Sequence, residues 1–250
     1  MLILAGTTEA TELATVLHTS GIDVISSLAG VTADPVARPG RLRRGGFGGV
    51  DGLRRYLDAE SIAAVVDATH PFAAQMPFHA ADACELGRVS LCRLLRDPWH
   101  RRDTDRWLEV DDLAAGAAAL PVLGARRVLL APGRQSIGPF VGCSDQWFLS
   151  RSIESPNVDM ANMTSIRERG PFTVAGERAL MIEHRIDTLV TKNSGGVATE
   201  AKLAAARELG VTVVMVRRPP QPAGVHTVST VHEASEWVLL RRASAFTHER

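Results

Sequence analysis

Short apolar runs that stop at a glycine or a polar turn and give way to a helical pattern recur along the chain. This alternation constrains the fold more than any other feature. Leu2 to Ala5 is the first such run; Gly6-Thr7-Thr8 follows at once, and Ala10, Leu13, Ala14 and Leu17 then recur at helical spacing. Ile22 to Leu28, Ile62 to Asp67 and Val89 to Leu95 predict further strands, with helices over Leu53 to Leu57 and from Pro71 to Leu86. Gly30 to Gly49, rich in Gly, Pro and Arg, reads as one long loop, a length that usually carries function. A polar connector (Asp97-Pro98, then Arg101 to Arg106) and an Ala-rich helix from about Asp112 to Leu120 interrupt the rhythm. It restarts with strands at Arg127 to Ala131, Trp147 to Ile153, Asp187 to Thr191, Val211 to Val216 and His226 to Ser229. The matching helices are Glu177 to His184, Thr199 to Leu209 and Val231 to Arg241. Strands this apolar, separated by helices, are buried on both faces, so the pattern predicts an α/β fold with mainly parallel sheets. We expect a domain over 1–115, a second over 116–242, and a flexible tail over 243–250. The two halves share an architecture and no sequence motif.

Composition narrows the function classes. Lys+Arg and Asp+Glu both total 28, so no general basic field is available to hold a nucleic acid or an anionic membrane. Hydrophobic residues make up 45%, enough for a real core in 250 residues. Cys84, Cys92 and Cys143 form no CxxC and no His pair has ligand spacing, so no metal site is expected, and the sparse, odd count suits a reducing cytoplasm. Leu113 to Ala125 is too short to span a bilayer and contains Pro121, and the N-terminus reads as a buried strand and not as a signal peptide.

Three loops carry residues suited to chemistry. Gly6-Thr7-Thr8-Glu9-Ala10 turns a first strand into a first helix, whose free N–H groups and positive dipole end suit a phosphate. The full G-x-G-x-x-G is absent, and Thr8 serving only as an N-cap would also explain the pattern. Where an acid for a ribose 2′-hydroxyl would stand, the sequence has Ser26-Ser27-Leu28-Ala29, followed by Arg38, Arg41, Arg43 and Arg44. That favours a 2′-phosphate, hence NADP over NAD, although a solvated arginine loop remains open. Gly45, Gly46, Gly48 and Gly49 around Phe47 would let backbone approach a ligand closely.

The second loop is Asp67-Ala68-Thr69-His70-Pro71-Phe72, at a strand's carboxyl end, where open α/β sheets bind ligands. His70 reads equally as a proton donor or as a structural hydrogen-bonding residue. The third runs from Lys192-Asn193-Ser194-Gly195-Gly196 through Thr199 to Lys202; it follows a buried strand, opens a helix, and is not a P-loop. Its lysine is one of only two in the chain, and a capping turn does not need it. No Ser-His-Asp order or paired-carboxylate motif stands out, so the chemistry falls to a bound cofactor.

Taken together, Leu4-Ala5-Gly6-Thr7-Thr8-Glu9-Ala10, Gly45 to Gly49, Asp67 to Ala73, Lys192 to Gly196 with Thr199 and Lys202, and Val213 to Pro219 resemble the precorrin-6A reductase family of cobalamin biosynthesis. The matches keep family order from residue 2 to about 240; Ala5 departs from the glycine of many members. The resemblance implies two Rossmann-like domains with cofactor and substrate in the cleft between them. It implies an NADPH-dependent enzyme that reduces one C=C bond of precorrin-6A to give precorrin-6B. Cofactor contacts are then expected from Gly6, Thr7, Thr8, Glu9, Ala10, Arg38, Arg43, Gly45, Gly46, Phe47, Thr69 and His70. For the carboxylates of the macrocycle we expect Arg134, Arg151, Lys192, Asn193, Ser194, Gly195, Gly196, Arg217 and Arg218, with His70 or Lys192 assisting protonation. Two rivals stay in view. Another NADP-linked reductase predicts a Tyr-x-x-x-Lys pair, yet the only tyrosine, Tyr56, has no lysine near it in sequence. A non-catalytic dinucleotide sensor predicts binding without turnover and leaves the third loop without a purpose.

Overall fold

A computed structural model of the chain describes residues 1–29, 39–131, 133, 136–152, 158, 160–168 and 170–247, with side chains through 242. In chain order the elements begin β1 (Leu2–Ala5), α1 (Thr8–Thr19), β2 (Ile25–Leu28), β3 (Arg41–Arg44), α2 (Gly49–Ala59), β4 (Ala64–Ala68), α3 (Met76–Gly87) and β5 (Ser90–Leu94). They continue with β6 (Trp107–Val110), α4 (Leu113–Val122), β7 (Arg127–Leu130), β8 (Trp147–Ser152), β9 (Met163–Arg167), α5 (Val174–Glu183) and β10 (Thr188–Lys192). The last are α6 (Ala201–Leu209), β11 (Thr212–Val216), β12 (His226–Val228) and α7 (Val231–Thr247).

The strands form two six-stranded sheets, ordered β3-β2-β1-β4-β5-β12 and β9-β8-β7-β10-β11-β6. Every pairing is parallel. Each sheet therefore has the doubly wound order in which the direction of strand addition reverses beside its first strand, between β1 and β4 or between β7 and β10. The sixth place in each sheet goes to a strand that follows the other sheet's fifth. β6, which comes after β5, pairs with β11; β12, which comes after β11, pairs with β5.

The chain accordingly divides into one compact unit of residues 1–96 with 219–250 and another of 97–218. This differs from a change of domain at 115/116 and from a second domain running to 242. Val213 to Val216 pairs with Trp107 to Val110, and α4 lies on that strand pair, so the segment before 116 belongs to the second sheet. α7 packs on α1 in the first unit. Its helix runs to Thr247, so 243–247 is not a tail in the backbone, while 248–250 lie outside the described residues.

Three strands differ from the sequence expectation. β3 lies inside the supposed long loop, β6 inside the polar connector region, and β9 where no element was expected. β3 and β9 are sheet edges and largely exposed, so neither carries an apolar run to betray it. α4 contains Pro121 and ends one residue later at Val122; the proline supplies no N–H to the last turn, which the helix therefore does not extend.

Packing follows the alternation. In the first unit Ile3, Ala5, Val66 and Leu94 meet Leu13, Leu17, Ala234 and Trp237 on one face of the sheet, and Leu2, Leu4, Ile25 and Val65 meet Leu53, Leu57, Ala80 and Ala83 on the other. In the second, Leu129, Leu149, Leu189, Val213 and Met215 pack against Met181, Leu203 and Ala206 beside Trp99 and Trp107. Each fully buried Val, Leu, Ile or Met side chain among them stabilises its unit by about 1.5–3 kcal/mol, and each alanine by less. The strand ends are thus held by a rigid interior.

Candidate active site

Two groups of predicted residues lie at the carboxyl ends of strands, one in each unit. In the first, β1 delivers the exposed Gly6 to the start of α1. The cap of that helix is Thr7 and not Thr8: Thr7 Oγ1 accepts from Ala10 N at 3.1 Å. The same hydroxyl donates to Ala68 O at 3.1 Å and so ties the corner to the end of β4. Ala10 is a fully buried core residue whose contribution is its backbone N–H. Glu9, in the first turn of α1, makes a part-buried ion pair with Arg96 at 2.8 Å. A Cβ on Gly6 would stand 3.5 Å from His70 N and 3.8 Å from Thr69 Cα, an ordinary contact. Packing therefore does not demand glycine there; its lack of a side chain leaves the mouth of α1 clear.

Thr69 and His70 reach the same edge from β4. Thr69 donates to Asp67 Oδ1 from its N at 3.0 Å and its hydroxyl at 2.7 Å. His70 Nδ1 accepts from Phe72 N at 3.2 Å, which places the proton of a neutral ring on Nε2. The fold thus brings Gly6, Thr7, Thr8, Thr69 and His70 together at the point where strand order reverses.

The glycine-rich stretch lies farther out, beyond β3. Arg43 donates to Ser27 Oγ at 3.2 Å, Gly45 O at 2.5 Å and Gly46 O at 2.8 Å, and its guanidinium sits 3.8 Å over the Phe47 ring. Arg43 is thereby engaged in shaping the Gly45-Gly46 turn, and Phe47 packs edge-on against Tyr56 at 5.2 Å. Open space surrounds the Cβ positions of Gly45 and Gly46. Arg38 lies outside the described residues.

In the second unit, Lys192 ends β10 and donates from Nζ to Ser136 Oγ at 2.7 Å. Burial lowers its pKa below the ordinary lysine value. β10 adjoins β7, and Ser136 follows β7, so this contact spans the reversal point of the second sheet. The residues next to Lys192 hold the loop in shape. Asn193 pairs with the backbone of Trp99 in both senses, accepting from Trp99 N at 2.8 Å and donating to Trp99 O at 3.0 Å. Trp99 Nε1 donates to Gly196 O at 3.1 Å, and Arg218 donates to Asn193 O at 2.8 Å and Ser194 O at 3.2 Å. Gly195 has φ +68°, and a Cβ there would fall 2.0 Å from Asp97 O. Lys202 is buried, donates to Thr199 O at 2.7 Å, and lies 4.5 Å over the Trp99 ring.

The predicted arginines separate. Arg151 is buried in an ion pair with Glu177 at 2.6 Å and lies 4.0 Å over the Phe172 ring. Arg217 is exposed beside Glu109 at 3.2 Å and Asp111 at 2.9 Å, and its hydrogen bonds to these carboxylates raise its pKa. Arg134 lies outside the described residues. Ser136, Asp97 and Trp99 escaped the sequence reading: they lie 56, 98 and 94 positions from their partners Lys192, Gly195 and Asn193, and no local motif marks them. Among the described residues no group of His, Cys, Asp and Glu is arranged to hold a metal, and no helix is long and apolar enough to cross a membrane.

The fold and these two strand-end groups define a class: a protein of two doubly wound parallel α/β units, each with polar residues gathered at its reversal point. Comparison with known proteins makes the assignment specific. A family model described as Precorrin-6x reductase CbiJ/CobK matches residues 1–239. The chain is 49% identical to the precorrin-6A reductase of Rhodococcus erythropolis over 97% of its own length and 99% of that protein's. To the precorrin-6A reductase of Rhodobacter capsulatus it is 45% identical over 89% of both. A solved structure of CobK precorrin-6A reductase superposes with a TM-score of 0.89 at 43% identity, covering 95% of each chain. The chain belongs to the precorrin-6x reductase family, oxidoreductases of the cobalamin pathway.

Proposed function

We propose that this chain reduces precorrin-6A with NADPH, adding a hydride and a proton across one C=C bond of the macrocycle to give precorrin-6B and NADP⁺. The observation that carries the cofactor reading is the corner at Gly6: a bare glycine opens the N-terminal mouth of α1 at the reversal point, beside Thr69 and His70. Such a mouth presents backbone N–H groups and the positive end of a helix dipole to a pyrophosphate. Gly6, Thr7, Thr8, Glu9 and Ala10 would line it, with Thr7 holding the corner to Ala68. β2 ends in Ser26-Ser27-Leu28 followed by Ala29, and none of these residues is the carboxylate that would select a ribose 2′-hydroxyl. Arg43 holds the Gly45-Gly46 turn beside that place and supplies positive charge for a 2′-phosphate. Bound there, NADPH supplies the hydride.

The second unit serves the tetrapyrrole. Lys192 and Ser136 offer an ammonium and a hydroxyl to a carboxylate, and the backbone of Ser194 to Gly196 stands beside them. Asn193 and Arg218 act through the loop, which they brace from both sides. Arg217, exposed next to two carboxylates, can exchange them for a substrate carboxylate, whereas Arg151 contributes by holding β8 to α5. His70 Nε2–H or the lowered-pKa ammonium of Lys192 delivers the proton. Three free cysteines suit a reducing compartment, and we place the reaction in the cytoplasm.

The test is anaerobic turnover. Precorrin-6A with NADPH should consume the nucleotide and shift the tetrapyrrole spectrum, with NADH a much poorer donor. Binding of NADPH without consumption on precorrin-6A would overturn the reading in favour of a sensor.

A further inference from the structure

Asp67 and Arg93 take no part in the function described so far, and their placement is uncommon. They face each other in register on the neighbouring strands β4 and β5, each 2% exposed. Arg93 Nη1 donates to Asp67 Oδ2. The other carboxylate oxygen accepts twice from one residue, from the N and the hydroxyl of Thr69. Arg93 Nε and Nη2 are buried and make no hydrogen bond among the described residues. As a stabilising device this is poor, because removing two charges from water costs more than a partly satisfied pair returns, and apolar side chains of similar volume serve stability as well or better. What the pair does fix is the strand-end loop. Thr69 is held by two atoms, the preceding Ala68 O receives the Thr7 hydroxyl, and the following His70 N lies 3.5 Å from the bare Cβ position of Gly6. The level of this loop across the crevice between β1 and β4 is therefore set from Asp67.

We propose that Asp67 and Arg93 are positioning residues for the nucleotide site: Arg93 supplies the buried counter-charge to the Asp67 carboxylate, and Asp67 fixes Thr69 and His70 against Gly6 and the mouth of α1. This rests on the reading of the first unit as the NADPH-binding one. The pair acts through the loop and does not touch the nucleotide.

The experiment replaces the pair by apolar residues of similar size, Asp67→Leu with Arg93→Met, in the full chain. It reads thermal melting, the Kd for NADPH by fluorescence titration, and KM for precorrin-6A. The expected result is melting equal to or above that of the unaltered protein, a Kd for NADPH raised about tenfold, and an unchanged KM for the tetrapyrrole. Thr69→Val, which loses only the hydroxyl, should raise the Kd about threefold, and Thr69→Ser should restore it. A double variant that melts normally and binds NADPH normally overturns the proposal. If the double variant does not fold, the single variants decide, and equal affinities for Thr69→Val and Thr69→Ser overturn it. An unaltered chain that binds no NADPH overturns the functional reading and this proposal with it; normal binding by the unaltered chain together with unmoved variants overturns this proposal alone.

Discussion

At the scale of single residues, Lys192 is the group whose chemistry the fold alters most usefully. Burial lowers its pKa below the ordinary 10.5. Between the folded and unfolded values the unfolded chain binds more protons, so the stability this lysine withholds while charged is regained as pH rises from the folded value to the unfolded one near 10.5. Any role that needs the ammonium must then fail at a lower pH than an exposed lysine would set. We predict an alkaline limb in kcat/KM for the tetrapyrrole that Lys192→Arg moves upward, since a guanidinium stays charged; a limb that does not move removes Lys192 from the reaction. Thr7→Val loses both the cap on Ala10 N and the tie to Ala68 O. It should cost about 1 kcal/mol, seen as a fall of about 2–4 °C in Tm, and raise KM for NADPH. The sequence showed that Gly6, Thr7, His70 and Lys192 are of the right chemical type, but not whether a polar group is already engaged. Asn193, Arg151 and Arg218 read as substrate contacts, yet each meets a partner that only the fold brings near.

At the scale of elements, the loop between β10 and α6 depends on a backbone that only glycine adopts with ease. Gly195→Ala would place a Cβ 2.0 Å from Asp97 O at a φ of +68°. We expect a loss of about 1–3 kcal/mol, read by denaturant unfolding, with a raised KM for the tetrapyrrole and little change in Kd for NADPH. Buried strands such as β1, β4, β10 and β11 were legible because apolar runs of that length have few other uses. β3, with the sequence Arg-Leu-Arg-Arg, was not, because an edge strand gains its place from pairing with β2 and not from burial. The same holds for β9 against β8.

At the scale of the whole molecule, the exchanged sixth strands determine what each half needs in order to fold. Residues 97–218 contain a complete six-stranded sheet in one continuous segment, whereas residues 1–96 lack β12 and α7. Expressed alone, 97–218 should melt cooperatively, and 1–96 should not unless a segment carrying β12 and α7 is supplied; circular dichroism on the two fragments checks this. Two α/β halves are legible in the sequence, but their true division is not, since nothing local in β6 or β12 records that its partner lies in the sheet formed by the other half. The proposed reaction passes a hydride from NADPH to the macrocycle on this chain. Turnover with precorrin-6A and NADPH deuterated at the transferable position, followed by mass spectrometry of the product, follows that hydride to its destination. The reduced tetrapyrrole should carry the deuterium; a reduced product without the label, or no reduction at all, would overturn the proposed hydride transfer.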